Sequence, residues 1–240
     1  MVRAAAWALG AWLTGAVPAQ AQVSPPETTG TVTGTVMLSS TLTARRPRVR
    51  LYADLGPGGA PRASGTAPHD MANVVVYLDS TEWRPPGAVP SRRPPAIVQR
   101  NETFLPHVLT VLVGSRVEFP NDDPFFHNVF SLSQAKTFDL GRYPQGQSKT
   151  VLFDRPGIVQ VFCHIHADMS AVVLVRGNPF FATPDSTGQF TLTGIPPGTY
   201  RLVGWHERAR PVQQTVRVVA GHVARADFNI PVSEPPNRDG

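Results

Sequence analysis

PGIVQVFCHIHADMSAVVLV, residues 156–175, is the stretch on which the reading of this chain turns. Pro156-Gly157 is a turn signal, Ile158 to Cys163 reads as a strand, and Ser170 to Val175 reads as another. The segment between them puts Cys163, His166 and Met169 on one inter-strand loop. Upstream, His127 opens a further strand candidate directly after the turn NDDPFF, residues 121–126. Packing of two sheets would bring that ring beside the loop.

The punctuation around this stretch is regular. Val108 to Val113, Arg116 to Phe119, His127 to Phe130 and Lys149 to Phe153 are strand candidates, set apart by turn signals at Gly114-Ser115 and Asn121 to Pro124. Further strand candidates stand at Thr31 to Leu38, Ala72 to Leu78, Gln189 to Leu192, Tyr200 to Gly204, Gln213 to Val219 and Ala224 to Ile230. Two Pro-rich stretches, Arg45 to Asp70 and Trp83 to Pro95, read as a long loop and a linker. The 25 prolines and 20 glycines imply many turns, and no long segment repeats its apolar residues every 3.6 positions. An all-β fold follows. The 240 residues allow one large or two small domains. Hydrophobic residues at 41% and charged residues at 16% exclude a highly charged disordered chain.

Arg3, the apolar run Ala4 to Val17 and Ala19-Gln20-Ala21 together read as a secretory signal peptide over residues 1–21, cleaved after Ala21. The expectation is export to the periplasm or beyond, with no membrane span in the rest. Loss of Arg3 lowers the formal charge of +5 by one. The basic run RRPRVR, residues 45–50, lacks interleaved aromatics, so no nucleic-acid partner is expected. Cys163 is the only cysteine and cannot form an internal disulfide, which an exported chain would use for stability.

A lone buried Cys is most often a small hydrophobe, and a Met in a strand is most often core. Joint occurrence points elsewhere. A soft thiolate, two borderline imidazoles and a weak thioether donor favour copper cycling between +1 and +2, whereas zinc prefers a better fourth ligand than Met. The expected site is one copper on His127, Cys163, His166 and Met169.

Residues 97–177 resemble the cupredoxins. FLPHVLTVLVGSRVEFPNDDPFFHNVF, residues 104–130, is similar to their strand, Gly turn, strand and His-Asn segment, and residues 156–175 are similar to their closing Cys-loop-strand. The Cys-x2-His-x2-Met spacing resembles the short loop of amicyanin-type members. The resemblance implies a Greek-key β-sandwich with one type 1 (blue) copper, the same four ligands, and Asn128 as the residue that ties the two ligand loops together. Two features depart from that pattern. Ala167-Asp168 follows the loop His where amicyanin-type members have Pro, and His164 directly follows Cys163. Alternation turns His164 away from the copper, leaving it exposed or able to take a second metal.

The flanks resemble a different family. TVTGTVML (31–38) with NVVVYL (73–78) is similar to the front half of a carboxypeptidase regulatory-like (prealbumin-like) β-sandwich. DSTGQFTLTGIPPGTYRLVGW (185–205) with VRVVAGHVARADFNI (216–230) is similar to its back half. The resemblance implies a discontinuous domain, 30–82 plus 178–232. The cupredoxin domain, 97–177, is inserted in it or packed beside it, and 233–240 forms a disordered tail. The combined layout resembles methylamine utilisation or plastocyanin-like proteins, which does not establish methylamine as a substrate.

His107 is a candidate extra ligand or a structural residue at a strand start. Trp205-His206-Glu207 reads as a surface site or a solvent-facing turn, and Asp122, Asp123 and Asp168 as turn formers near the copper edge. The function expected is single-electron transfer with a redox protein such as a cytochrome or dehydrogenase. The alternatives are a copper-holding module without a redox partner and a copper enzyme with a second metal at His164.

Overall fold

The computed structural model describes residues 28–39, 70–79 and 90–231. The signal peptide expected over 1–21, the basic run at 45–50, the first part of the Trp83 to Pro95 linker and the tail at 233–240 lie outside the described residues.

In chain order the strands are β1 (Gly30–Leu38), β2 (Val75–Leu78), β3 (Val98–Gln99), β4 (Phe104–Leu105), β5 (Val108–Leu112) and β6 (Ser115–Pro120). There follow β7 (His127–Ser133), β8 (Lys136–Tyr143), β9 (Ser148–Phe153), β10 (Gly157–Phe162), β11 (Ser170–Arg176) and β12 (Phe181–Ala182). The chain ends in β13 (Gln189–Ile195), β14 (Gly198–Trp205), β15 (Val212–Val218), β16 (Val223–Arg225) and β17 (Phe228–Ile230). A single 3-10 turn, Asp70–Asn73, precedes β2 and occupies the start of the strand expected from Ala72. Among the described residues every other regular element is a strand, so the fold is all-β.

Two cores organise these strands. Sheet β5-β11-β10-β7-β8 and the ribbon β6-β9 share one core that includes Phe104, Val117, Phe119, Val129, Val159 and Val161. Sheet β13-β1-β16, with β17 also on β1, and sheet β12-β2-β14-β15 share the other, built from residues such as Val32, Val36, Leu78, Phe190, Leu202 and Phe228. Burial alternates along β6 and β10, as it must when one face meets the core and the other meets water.

β11 breaks that alternation, with its five central residues all buried. Ala171, Val173 and Val175 enter the first core, while Val172 and Leu174 on the other face pack with Val75, Val108 and Trp205 in a seam between the two. The continuous apolar run AVVLV is therefore the mark of a strand covered on both faces. The seam also corrects the solvent-facing reading of Trp205-His206-Glu207: Trp205 and His206 are buried, because the indole fills the gap over β11.

β8 was not anticipated. KTFDLGRY alternates, but Phe138 and Leu140 are only partly buried and Tyr143 alone is fully buried, so the pattern is weak in sequence. The single strand expected over Ala224 to Ile230 is split into β16 and β17, which both pair in parallel with β1. The break falls where the backbone crosses Gly34: a Cβ there would strike the Ala226 carbonyl oxygen. The end of the Pro-rich linker also pairs, with Glu118 N–H donating to Pro95 C=O at 2.9 Å.

Candidate metal centre

β7 and β10 are adjacent and antiparallel, in register at Phe130 and Phe162. His127 begins β7 and Cys163 follows the last residue of β10, so the pairing sets imidazole and thiol at the same end of the sheet. The loop from Cys163 to Met169 is closed at its base by Cys163 N–H donating to Met169 C=O at 3.2 Å. A turn inside it, Met169 N–H to His166 C=O at 3.0 Å, folds His166 back over the sheet edge. Asn128 then stitches strand to loop. Its Oδ1 accepts from His164 N–H at 2.7 Å, and its Nδ2 donates to Asp139 Oδ1 on β8 at 3.0 Å.

Three donor atoms converge. Cys163 Sγ lies 3.9 Å from His127 Nδ1 and 3.9 Å from His166 Nδ1, and the two nitrogens are 3.2 Å apart. A point equidistant from all three is about 2.1 Å from each, which falls within the range of about 2.0–2.3 Å found for nitrogen and sulfur ligands of a metal. His127 and Cys163 are buried, and Met169 is buried in the same core as Cys163. His166 is half-buried; Ile165, its chain neighbour, and Phe126, the chain neighbour of His127, are exposed. Phe125 packs its ring against both imidazoles, at centroid separations of 5.1 and 5.7 Å.

Protonation follows from the partners. His127 Nε2 lies 2.7 Å from Asp123 Oδ2, and a carboxylate only accepts. Nε2 therefore carries a proton, and Nδ1 is the nitrogen turned toward the thiol and the second ring. Burial, aided by the neighbouring His127, holds the His166 imidazole below its ordinary value and so in the neutral form that ligates. The two ring nitrogens and the sulfur lie within hydrogen-bond distance of one another, and the point between them can take either a shared proton or a metal cation. The arrangement fits a soft or borderline metal ion.

Asp123 is the site residue that the sequence reading placed among turn formers. Only 4% exposed, it accepts from Asn101 N–H at 2.6 Å and Glu102 N–H at 3.0 Å, besides the His127 ring. Burial pushes its carboxyl up, but the Glu102 amide, the His127 ring and the Asn101 amide together bring it below the ordinary range. Asn101 and Glu102 both have positive φ, 54° and 55°, and this turn aims their two amides at one carboxylate. The signal in sequence was slight: an Asp four residues before a candidate ligand, inside an Asn/Asp turn. Its neighbour Asp122 faces outward, to Arg100 at 2.7 Å.

The two additional metal candidates lie elsewhere. Among the described residues, the one group of three or more His, Cys, Asp or Glu whose ligand atoms come together is His127, Cys163 and His166. His164 is exposed and sets its ring edge-on to Phe130 at 3.8 Å between centroids. His107 bonds the Ser170 carbonyl through Nδ1 and Glu207 through Nε2, each at 2.9 Å.

No family model and no curated protein matches the chain. Solved structures do. A Cu-containing nitrite reductase from Thermus scotoductus SA-01 is 24% identical over 39% of this chain and 27% of its own, with a TM-score of 0.35. This chain thus spans about a quarter of that enzyme's length. A purple cupredoxin from Nitrosopumilus maritimus is 24% identical over 34% of this chain and 96% of its own, with a TM-score of 0.31. A reduced amicyanin mutant is 18% identical over 42% of this chain and 98% of its own, with a TM-score of 0.34.

Proposed function

We propose that this chain is an exported protein that holds one type 1 copper on His127, Cys163, His166 and Met169 and carries single electrons between redox proteins. The observation that carries the reading is the triangle of donor atoms, 3.2 by 3.9 by 3.9 Å, assembled from a β7 imidazole and the loop after β10. Copper held there supplies the +1/+2 couple that a thiolate, two imidazoles and a thioether favour.

The chain's own residues supply the frame. Asp123 fixes the His127 tautomer and ring plane, and Asn128 fixes the start of the loop. Strands on both sides keep the donors in place whichever charge the ion carries. Exposed Phe126 and Ile165, next in the chain to His127 and His166, are the apolar side chains that a cytochrome or dehydrogenase would meet. We assign this role to residues 97–177, carried as an insert in a second sandwich to which β1, β2 and β12 to β17 belong.

Copper titration of the mature chain, read by visible absorption and spin resonance, tests the proposal. The expected result is one copper per chain with an intense thiolate-to-copper band that Cys163→Ser abolishes. A colourless copper-loaded protein refutes it. Rapid reduction by a cytochrome or dehydrogenase of the same compartment separates a carrier from a copper-holding module.

A further inference from the structure

The loop ends at Met169, and the next residue opens β11. Both ends of that strand are gripped from across the seam. At the start, the Ser170 carbonyl accepts from His107 Nδ1 at 2.9 Å, and Nε2 of the same ring lies 2.9 Å from Glu207 Oε2, just beyond β14. At the far end, the Arg176 guanidinium lies 3.6 Å from the centroid of the Tyr77 ring and 3.6 Å from Asp79 Oδ1. Val172 and Leu174 are buried between these grips, with Val75 and Trp205.

A carbonyl oxygen and a carboxylate oxygen can only accept, so a ring bonded to both carries a proton on each nitrogen. His107 is an imidazolium in this arrangement, and its side chain and that of Glu207 are only 20% and 28% exposed. His206 also acts on the His107 charge, and Glu207, Asp70 and Arg208 act in turn on His206. Arg208 Nη1 lies 3.7 Å from Asp70 Oδ2. Burial, outweighing the acids nearby, keeps His206 below its ordinary value, and Glu207 is the carboxylate in contact with the His107 ring.

We infer that His107 and Glu207 are positioning residues for the metal centre: the ion pair holds the Ser170 carbonyl, and with it the Met169 end of the loop, and releases it when His107 loses a proton. The consequence for the metal rests on the function proposed above; the clamp itself belongs to the metal-free chain. Its sign is fixed by the bonding. The pair requires the cation, so its contribution is complete below the ordinary imidazole value of about 6.5 and is lost as the pH rises through the folded-state value.

The test uses the full mature chain and Glu207→Gln, whose side-chain amide can donate to a neutral ring nitrogen and so keeps the contact without the charge. Val172 N–H bonds the His107 carbonyl at 2.8 Å and reports on the clamp. In the metal-free natural sequence, its exchange protection factor is expected to fall roughly fivefold with rising pH, the factor equivalent to an ion pair at the top of the surface range. In Glu207→Gln it stays flat. His107→Gln, which can still donate to Ser170, is the second variant and carries the same expectation. In the copper-loaded protein the reduction potential should follow the same pH profile in the natural sequence and lose that component in either variant. Exchange profiles that coincide in all three proteins overturn the clamp. Differing exchange profiles in a chain that binds no copper overturn the metal reading, and with it the clamp's role at the centre.

Discussion

Replacing Asp123 by Asn probes the frame of the site without touching a donor atom. The carboxylate takes three hydrogen bonds: Asn101 N–H at Oδ1, and Glu102 N–H with the His127 ring at Oδ2. In its better rotamer the Asn side chain keeps its oxygen toward Glu102 and His127 and turns its NH2 against the Asn101 N–H. One bond is lost, and the others no longer meet a charge. A hydrogen bond to a charged group contributes about 1.5–3 kcal/mol, and that is the expected loss of metal-free stability in urea unfolding. The neutral amide also holds the His127 Nε2 proton less firmly, which lets it shift to the nitrogen that faces the thiol. Changes in groups that orient a ligand cost about 10–100-fold in metal affinity, and copper competition titration should find a loss in that range. Acid provides a second axis. The Asp123 carboxyl titrates below its ordinary 3.8 in the folded chain, so its contribution is present above that value and lost as the pH falls through the folded one. Below about pH 4 the natural protein and Asp123→Asn should therefore converge in stability. Copper affinity within twofold of the natural protein, with unchanged unfolding, would refute the reasoning.

Met169→Leu keeps the volume of a buried side chain and should cost less than about 1.5 kcal/mol in thermal melting, while changing the visible spectrum and potential of the copper-loaded protein. An unaltered spectrum would remove Met169 from the ligand set. Asn128→Ala strips the partner from the His164 amide and from Asp139, and should lower stability by about 1–3 kcal/mol, with faster amide exchange at His164. Trp205→Ala empties the seam over β11 and should cost about 3–5 kcal/mol in urea unfolding.

The sequence by itself determined the all-β class, since proline, glycine and period-2 runs leave no room for long helices. It also determined which candidate donors share one short loop, because the order Cys, His, Met along it is a covalent fact that no packing alters. Its strands were legible where one face is buried and the other wet, as in β6 and β10. They were illegible where burial is partial, as in β8, or where a close backbone approach breaks the ladder, as between β16 and β17. Only the tertiary structure decided that His127, 36 residues before Cys163, brings its Nδ1 to 3.9 Å from the sulfur. It alone turned Asp123 from a turn former into the carboxylate behind that ring, and His107 from a candidate ligand into a bridge to Glu207. The reason is common to all three. Local sequence fixes which atoms a side chain can offer, but the pairing of distant strands decides which partner each atom meets and how much water is left to compete for it.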